Sequence, residues 1–408
     1  MIVGAGIVGL SVAYHLRRQG VAVIVIDRAP EGDKASYGNA AGIAVTEVVP
    51  ASVPGLIWRV PGWLIDPLGP LAIRPSHALK LLPWLMRFSR VGRAAEVDRI
   101  ASALSALNGR VYDDLRPMLA ETGLVSELNE KGALTVYETE ESFRRDAEEW
   151  ALKRRHGIKV EELNGDQARA LEPALGPIVR RAVFTPQWSH VNDPKRLVDT
   201  LRRWLHDNGL TIVSGDVIDV AANDGQARVT LSDGRSILGS NIVIAAGAWS
   251  AALTRKLGDY VLLESERGYN STIPNPGVSL TREIIFAERK FVATPLTCGL
   301  RIGGAAEFAG LEAKPNFRRS EALAVLAKRY LPGLKTEGGT SWAGHRPATP
   351  DSLPVIGVSP RHAQVFYAFG HGHLGLTQAA TTGKLVSDLV AGRRPPLDME
   401  PYAISRFN

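Results

Sequence analysis

Three glycines and one acid carry the first chemical signal in this chain. Gly4, Gly6 and Gly9 follow a short apolar run, and Asp27 closes a second run 18 residues after Gly9. These types at this spacing suit a dinucleotide. Gly4 permits a tight turn, Gly6 lets backbone approach a pyrophosphate, and Gly9 lets helix and sheet pack closely. The pyrophosphate would rest on a helix N-terminus, where unpaired N–H groups and the helix dipole favour negative charge. Asp27 is placed to hydrogen-bond a ribose hydroxyl. The elements that must position these residues are also legible. Val8, Val12 and Leu16 share one face of an amphipathic helix ended by Gly20, and Val21 to Ile26 reads as a strand buried on both faces. Strand, turn, helix, strand and terminal acid in order are far more specific than a bare G-x-G-x-x-G. Only Met1 to Val3 precede Gly4, so either the first strand is stubby or the numbered chain lacks a residue or two of the natural start, and no signal peptide is expected before the motif.

The motif alone does not separate FAD from NAD. After Asp27, Arg28 leads into Ala35-Ser-Tyr-Gly-Asn-Ala-Ala-Gly42, a small-residue loop without helical or strand periodicity. Such a loop suits close contact with an extended ligand, with Ser36 and Asn39 as donors; the alternative is an ordinary surface turn. A second match, Gly370-His-Gly372-His-Leu-Gly375, follows the apolar run Val365 to Phe369 and opens a helix over 374–391. No further strand and acid follow it, so it is not a second dinucleotide fold. It remains a helix N-terminus suited to negative charge. A reduced flavin, anionic at one ring edge, fits there, and no dedicated NAD(P)H site is expected. His371 and His373 in this turn are acid–base candidates or hydrogen-bonding spacers.

Composition narrows the class. With 408 residues, 45% apolar and 22% charged, the chain is neither disordered nor collagenous. Its one cysteine, Cys298, excludes an intramolecular disulfide, a Cys-ligated cluster and a Cys-rich zinc site, and the nine scattered histidines show no metal spacing. No metal is expected. No run approaches the ~20 apolar residues of a membrane-spanning helix. The net charge of +6 points to acidic ligands, an anionic membrane or nucleic acid, and no basic motif supports the last.

Asp193 and Pro194 mark a helix start, with Leu197, Leu201, Trp204 and Leu205 on one face. Strands are expected at 211–213, 216–221, 227–231, 241–245, 284–286, 290–293 and 300–302, and a helix at 317–331. Segment 51–93 holds Trp58, Trp63 and Trp84, six Arg/Lys and one acid. Membrane contact at headgroup level is one reading; a lid or domain packing is the other, because internal prolines break a long amphipathic helix.

The N-terminal motif, the Ser36–Gly42 loop, Ala245-Ala-Gly-Ala-Trp-Ser250, Trp342-Ala-Gly-His-Arg346-Pro-Ala-Thr-Pro-Asp351-Ser-Leu-Pro354-Val-Ile-Gly357 and Phe369–Gly375 together resemble the D-amino-acid oxidase-like family of FAD-dependent amine oxidoreductases. The likeness extends to its bacterial D-amino-acid dehydrogenase branch, which includes D-hydroxyproline dehydrogenases. It implies an α/β fold: a Rossmann-type FAD-binding domain from 1–57, 177–257 and 336–408, and a β-sheet substrate domain from 58–176 and 258–335. It implies noncovalent FAD along Gly4, Gly6, Ile7, Val8 and Gly9, Asp27 and Arg28, Ser36, Asn39, Ala40 and Gly42, Val217, Ala246, Gly247 and Trp249, and Gly370, His371, Gly372, Leu374, Gly375 and Thr377. It places Arg346 on a substrate carboxylate, which its paired donors match. Tyr269 in Glu266-Arg-Gly-Tyr269 is expected to face the site, with His373 the third catalytic candidate. The implied reaction moves hydride from the Cα of a D-amino acid or cyclic imino acid of D-proline or D-hydroxyproline type to flavin N5. The imine or 2-oxo acid results, and a quinone or another acceptor takes the electrons. The alternatives are a sarcosine/glycine-type oxidase using O2, often with flavin on cysteine, and a flavin-binding subunit needing a partner chain. The expected location is cytoplasmic, with peripheral contact at the inner face of the bacterial inner membrane as an extension.

Overall fold

A computed structural model describes residues 1–56, 60–66, 69–223 and 225–408; Trp58 lies outside them. A parallel sheet forms around the stubby strand Ile2–Val3, flanked by Ile24–Asp27 and Ile242–Ile244. Six strands run in the order Thr211–Ser214, Ile24–Asp27, Ile2–Val3, Ile242–Ile244, Val365–Phe369, Val355–Val358, and only the last is antiparallel. The second strand begins at Ile24 rather than Val21. The Gly20 and Val21 N–H groups still bond Arg17 O and Leu16 O, so the helix cap occupies those positions.

Helices Ile7–Arg18, Pro194–Asp207 and Gly375–Val390 cover one face of this sheet, sharing a core with Val25, Val243 and Ile356. Asp193 caps the second helix as expected, accepting the Lys195 and Arg196 N–H groups. The other face carries the antiparallel sheet Val217–Asn223, Gln226–Leu231, Ser236–Gly239, packed through Val220, Val229 and Leu231.

A second large sheet has the order Thr340–Ala348, Glu264–Ile273, Gly299–Phe308, Phe291–Leu296, Glu283–Phe286, Ala133–Tyr137, Arg181–Thr185, Glu161–Asn164, with Leu71–Ile73 pairing beside Gly299–Phe308. The helix Arg318–Tyr330 packs on it through Leu323, Leu326 and Tyr330. Arg181–Thr185 and Thr340–Ala348, expected with the FAD-binding pieces, pair in this sheet instead. Helices Ala94–Asn108 and Val111–Glu121, expected with the substrate domain, bury Leu104, Leu107 and Leu115 in the core of the first sheet. Long-range apolar packing decides both placements, and local pattern does not encode it.

Two further expectations change. Pro75–Val91 is a 17-residue helix with Pro83 inside it. Pro83 and Leu79 are both exposed, so water can satisfy the Leu79 carbonyl that Pro83 leaves without a partner. Of the segment's tryptophans, Trp84 is buried, donating to Ala348 O at 3.0 Å. The strand expected to stop at Ile302 continues to Phe308 through Gly303-Gly304, because a Cβ on Gly304 would stand 2.7 Å from Phe291 Cβ.

Candidate active site

Between the two large sheets runs a cleft of about 1610 Å³, walled at one end by Gly4, Gly6 and Asp27 and at the other by Arg346 and His373. The helix Ile7–Arg18 starts there without a side-chain cap. Ser36 Oγ accepts the Ile7 N–H at 3.0 Å, while the N–H groups of Gly6 and Val8 meet no acceptor among the described residues. Gly4 has φ +113°, and a Cβ there would lie 2.3 Å from Ala245 O. This is an anion cradle of backbone donors. Asp27 Oδ2 accepts the Ala5 N–H at 2.7 Å, and Oδ1 accepts from Ala29 N and from Lys34 Nζ at 3.0 Å. Arg28 stacks its guanidinium 3.8 Å over the Trp249 ring. These groups fit FAD: unspent amides for the pyrophosphate, an acid for ribose and a long cleft for the rest.

Of the residues expected to bind cofactor, Gly4, Gly6, Ile7, Val8, Asp27, Arg28, Ser36, Asn39, Ala40 and Gly42 line this cleft. So do Val217, Ala246, Gly247, Trp249, His371, Gly372, Leu374 and Gly375. Gly9, Gly370 and Thr377 do not. Gly9 packs the helix on the first strand, where a Cβ would meet Gly4 O at 2.0 Å. Gly370 has φ +82° and turns the chain beside Thr349. Thr377 Oγ1 accepts the Ala44 N–H at 2.9 Å and so ties the chain just beyond the short strand Gly42–Ile43 to the last helix. His371 is buried with Nε2 on Thr382 Oγ1 at 2.9 Å, and burial pushes its imidazole down to about 3, which suits a neutral spacer.

At the far end, Arg346 Nη1 bonds Glu266 Oε1 at 2.7 Å and Ala305 O at 3.0 Å. Its Nε and Nη2 donors have no acceptor among the described residues. The guanidinium lies over Gly268, where a Cβ would stand 2.5 Å from Cζ. His373 is exposed and lines the cleft, where desolvation holds its imidazole below the usual range; Glu47, Glu266, Arg346 and Lys153 are the charges around it. Tyr269 meets the cleft with its ring only. Its ring lies on the wall, but its hydroxyl donates to buried Glu307 and accepts the Asn316 N–H at 3.0 Å. Arg74 and Arg267 also pair with Glu307, so Tyr269 anchors a structural cluster.

Three groups on the wall escaped the sequence reading: Glu47 with Lys153, Glu283 and Lys34. Lys153 Nζ sits 2.9 Å from Glu47 and 3.2 Å from Glu149. Burial alone would raise the Glu47 carboxyl; Lys153 overrides this and holds it below the usual range. Glu283 is buried, and burial pushes its carboxyl up to about 8 against the Trp188 Nε1 donor at 2.8 Å. Only the Lys34 charge close after Asp27 was visible as a local signal. Cys298 is exposed in the hairpin between Phe291–Leu296 and Gly299–Phe308 and is not part of the wall. Among the described residues no group of three or more His, Cys, Asp or Glu is arranged to hold a metal.

A Rossmann half opening onto a sheet-walled cleft defines a dinucleotide-dependent oxidoreductase. The family model described as DAO, FAD dependent oxidoreductase, matches residues 1–389, and the chain belongs to that family. It is 35% identical to a D-amino-acid oxidase of Bradyrhizobium diazoefficiens, over all of this chain and 98% of that one. It is 30% identical to a D-amino acid dehydrogenase of Rhizobium johnstonii, over all of this chain and 99% of that one. Among solved structures, glycine oxidase from Geobacillus kaustophilus superposes with a TM-score of 0.76 at 21% identity, covering 99% of this chain and 97% of that one.

Proposed function

We propose that the chain is an FAD-dependent amino-acid dehydrogenase acting on D-amino or cyclic imino acids. The observation that carries this reading is Arg346, half-buried at the cleft end with two donors of its fork unengaged. A guanidinium so held matches a carboxylate bidentately. Glu266 keeps the fork oriented, and Gly268 leaves it room. Beyond Arg346 the wall is apolar (Trp63, Leu71, Ile73, Phe88, Phe308), with space for a side chain or ring. When bound, FAD supplies the acceptor for the hydride that leaves the substrate Cα. His373, on the cleft wall with Arg346, is the base proposed to take the proton that the substrate ammonium must lose first. The imine so formed is hydrolysed by water to a 2-oxo acid and ammonia, or stays cyclic. The relatives named for D-amino-acid oxidation support the substrate class.

The acceptor is proposed to be a membrane quinone, met at the inner face of the membrane from the cytoplasm. Among the described residues no helix is long and apolar enough to cross a membrane. One stripe of helix Pro75–Val91 exposes Leu79 (85%), Leu82 and Met86 and runs into Arg90 and Arg93; Ile65, at the end of the separate short helix Val60–Ile65, is 81% exposed. Leucine and methionine, rather than Trp63 or Trp84, form this outward face. Product analysis tests the central reaction. The holoenzyme with a D-amino acid and a dye acceptor should yield equal amounts of 2-oxo acid and ammonia. Turnover of glycine or sarcosine alone, with O2 as the efficient acceptor, would overturn it in favour of a glycine-type oxidase.

A further inference from the structure

The Ser36–Gly42 loop is held by its carbonyls. Asn39 Nδ2 donates to Ser36 O at 2.8 Å. Arg301 Nη1 donates to Tyr37 O at 3.2 Å and to Asn39 O at 2.8 Å. Asn270 Nδ2 reaches Gly38 O at 2.5 Å, Thr294 Oγ1 reaches Ala40 O at 2.8 Å, and the Val191 N–H reaches Ala41 O at 2.9 Å. Arg301, Asn270 and Thr294 stand on three adjacent strands of the large sheet. The substrate-side sheet thus grips the loop that the first sheet presents to the cleft.

This grip fixes the loop's polarity. With its carbonyls engaged, the hydrogen-bonding groups left are N–H donors. The Tyr37 N–H bonds Lys34 O and the Ala41 N–H bonds Asn39 Oδ1. Those of Gly38, Asn39 and Ala40 meet no acceptor among the described residues, and all three residues line the cleft. Ala41 sits at φ 68°, a left-handed conformation that a non-glycine residue holds only when its surroundings enforce it. Arg301 makes no ion pair among the described residues, although its Nε also bonds Thr272 Oγ1 at 3.0 Å. Three successive amide donors with an unneutralised guanidinium behind them form an electropositive patch.

We propose that Arg301, Asn270 and Thr294 are positioning residues for the cofactor. They lock the loop with its N–H edge toward the cleft, where it meets hydrogen-bond acceptor atoms of bound FAD, and Arg301 adds positive charge beneath it. The residues act through the loop and need not touch substrate, so the test does not depend on which amine is oxidised.

Apoprotein is titrated with FAD, and the reduction potential of the reconstituted flavin is measured for wild type, Arg301→Met, Arg301→Lys and Asn270→Ala. Melting temperature is recorded alongside. Arg301→Met should weaken FAD binding about 10-fold or more and lower the flavin potential, because an anionic reduced flavin loses a nearby cation. Arg301→Lys should recover most of the potential but less of the affinity, since an ammonium lacks the planar guanidinium that holds Nη1 on both loop carbonyls while Nε is anchored on Thr272 Oγ1. Asn270→Ala should weaken FAD binding without the loss of charge, and it keeps the test open should Arg301→Met not fold. Variants that melt earlier yet keep wild-type FAD affinity and potential would overturn the proposal and leave these residues a purely structural role.

Discussion

Replacing Arg346 with alanine removes the fork of donors that the described residues place at the substrate end of the cleft. Truncating one partner of a buried, hydrogen-bonded charge pair costs about 2–5 kcal/mol, or roughly 30- to 5,000-fold in substrate affinity. Here Arg346 and Glu266 keep 27% and 25% of their side-chain surface exposed, so solvent screening favours the lower half of that range. Part of the loss comes from Glu266, which is left unpaired and repels an incoming carboxylate. Arg346→Ala with Glu266→Gln should therefore bind substrate better than Arg346→Ala alone. Arg346→Lys should fall between wild type and alanine, keeping charge without the fork. The assay is anaerobic mixing of FAD-loaded enzyme with increasing substrate, following loss of the visible flavin absorption. FAD content should not change. If Arg346→Ala saturates at the wild-type substrate concentration, the carboxylate is bound elsewhere and the reasoning fails.

Three other outcomes are expected. Asp27→Ala removes the acceptor of the Ala5 and Ala29 amides and the partner of Lys34, so FAD occupancy should fall while the ranking of substrates among loaded molecules is unchanged. The Glu283 carboxyl is raised to about 8, so between its unfolded value near 4.5 and 8 the native state holds a proton that the unfolded state has released. Native stability must then fall as pH rises through that window, by up to about 3–5 kcal/mol, and Glu283→Gln should flatten the decline in a series of denaturant melts from pH 5 to 8. A variant carrying Leu79→Ser, Leu82→Ser and Met86→Ser should keep dye-linked activity but lose co-sedimentation with phosphatidylglycerol vesicles; equal sedimentation of wild type and variant would remove the membrane reading.

The N-terminal half of the cofactor site was legible because its rules are local. Glycine positions, the amphipathic face of Ile7–Arg18 and the acid after the second strand all lie within 27 residues, and the Asp193–Pro194 helix start is equally local. Residues whose meaning depends on distant contacts were not legible. Lys153 and Glu47 meet from positions 106 apart, and Arg301 reaches Tyr37 over 264. Tyr269 shows the converse. Its motif pointed to the site, but the buried Glu307, Arg74 and Arg267 cluster took its hydroxyl. Helices Ala94–Asn108 and Val111–Glu121 went to the other core for the same reason, since amphipathicity says that a helix buries a face and not against which sheet.

The most direct measurement is anaerobic reduction of the purified yellow protein by matched D- and L-amino acids, their cyclic forms and NADPH. Rapid bleaching by D-amino or D-imino acids, with none by NADPH, is the predicted result. Bleaching by NADPH alone would contradict the assignment of the cleft to an amino-acid substrate.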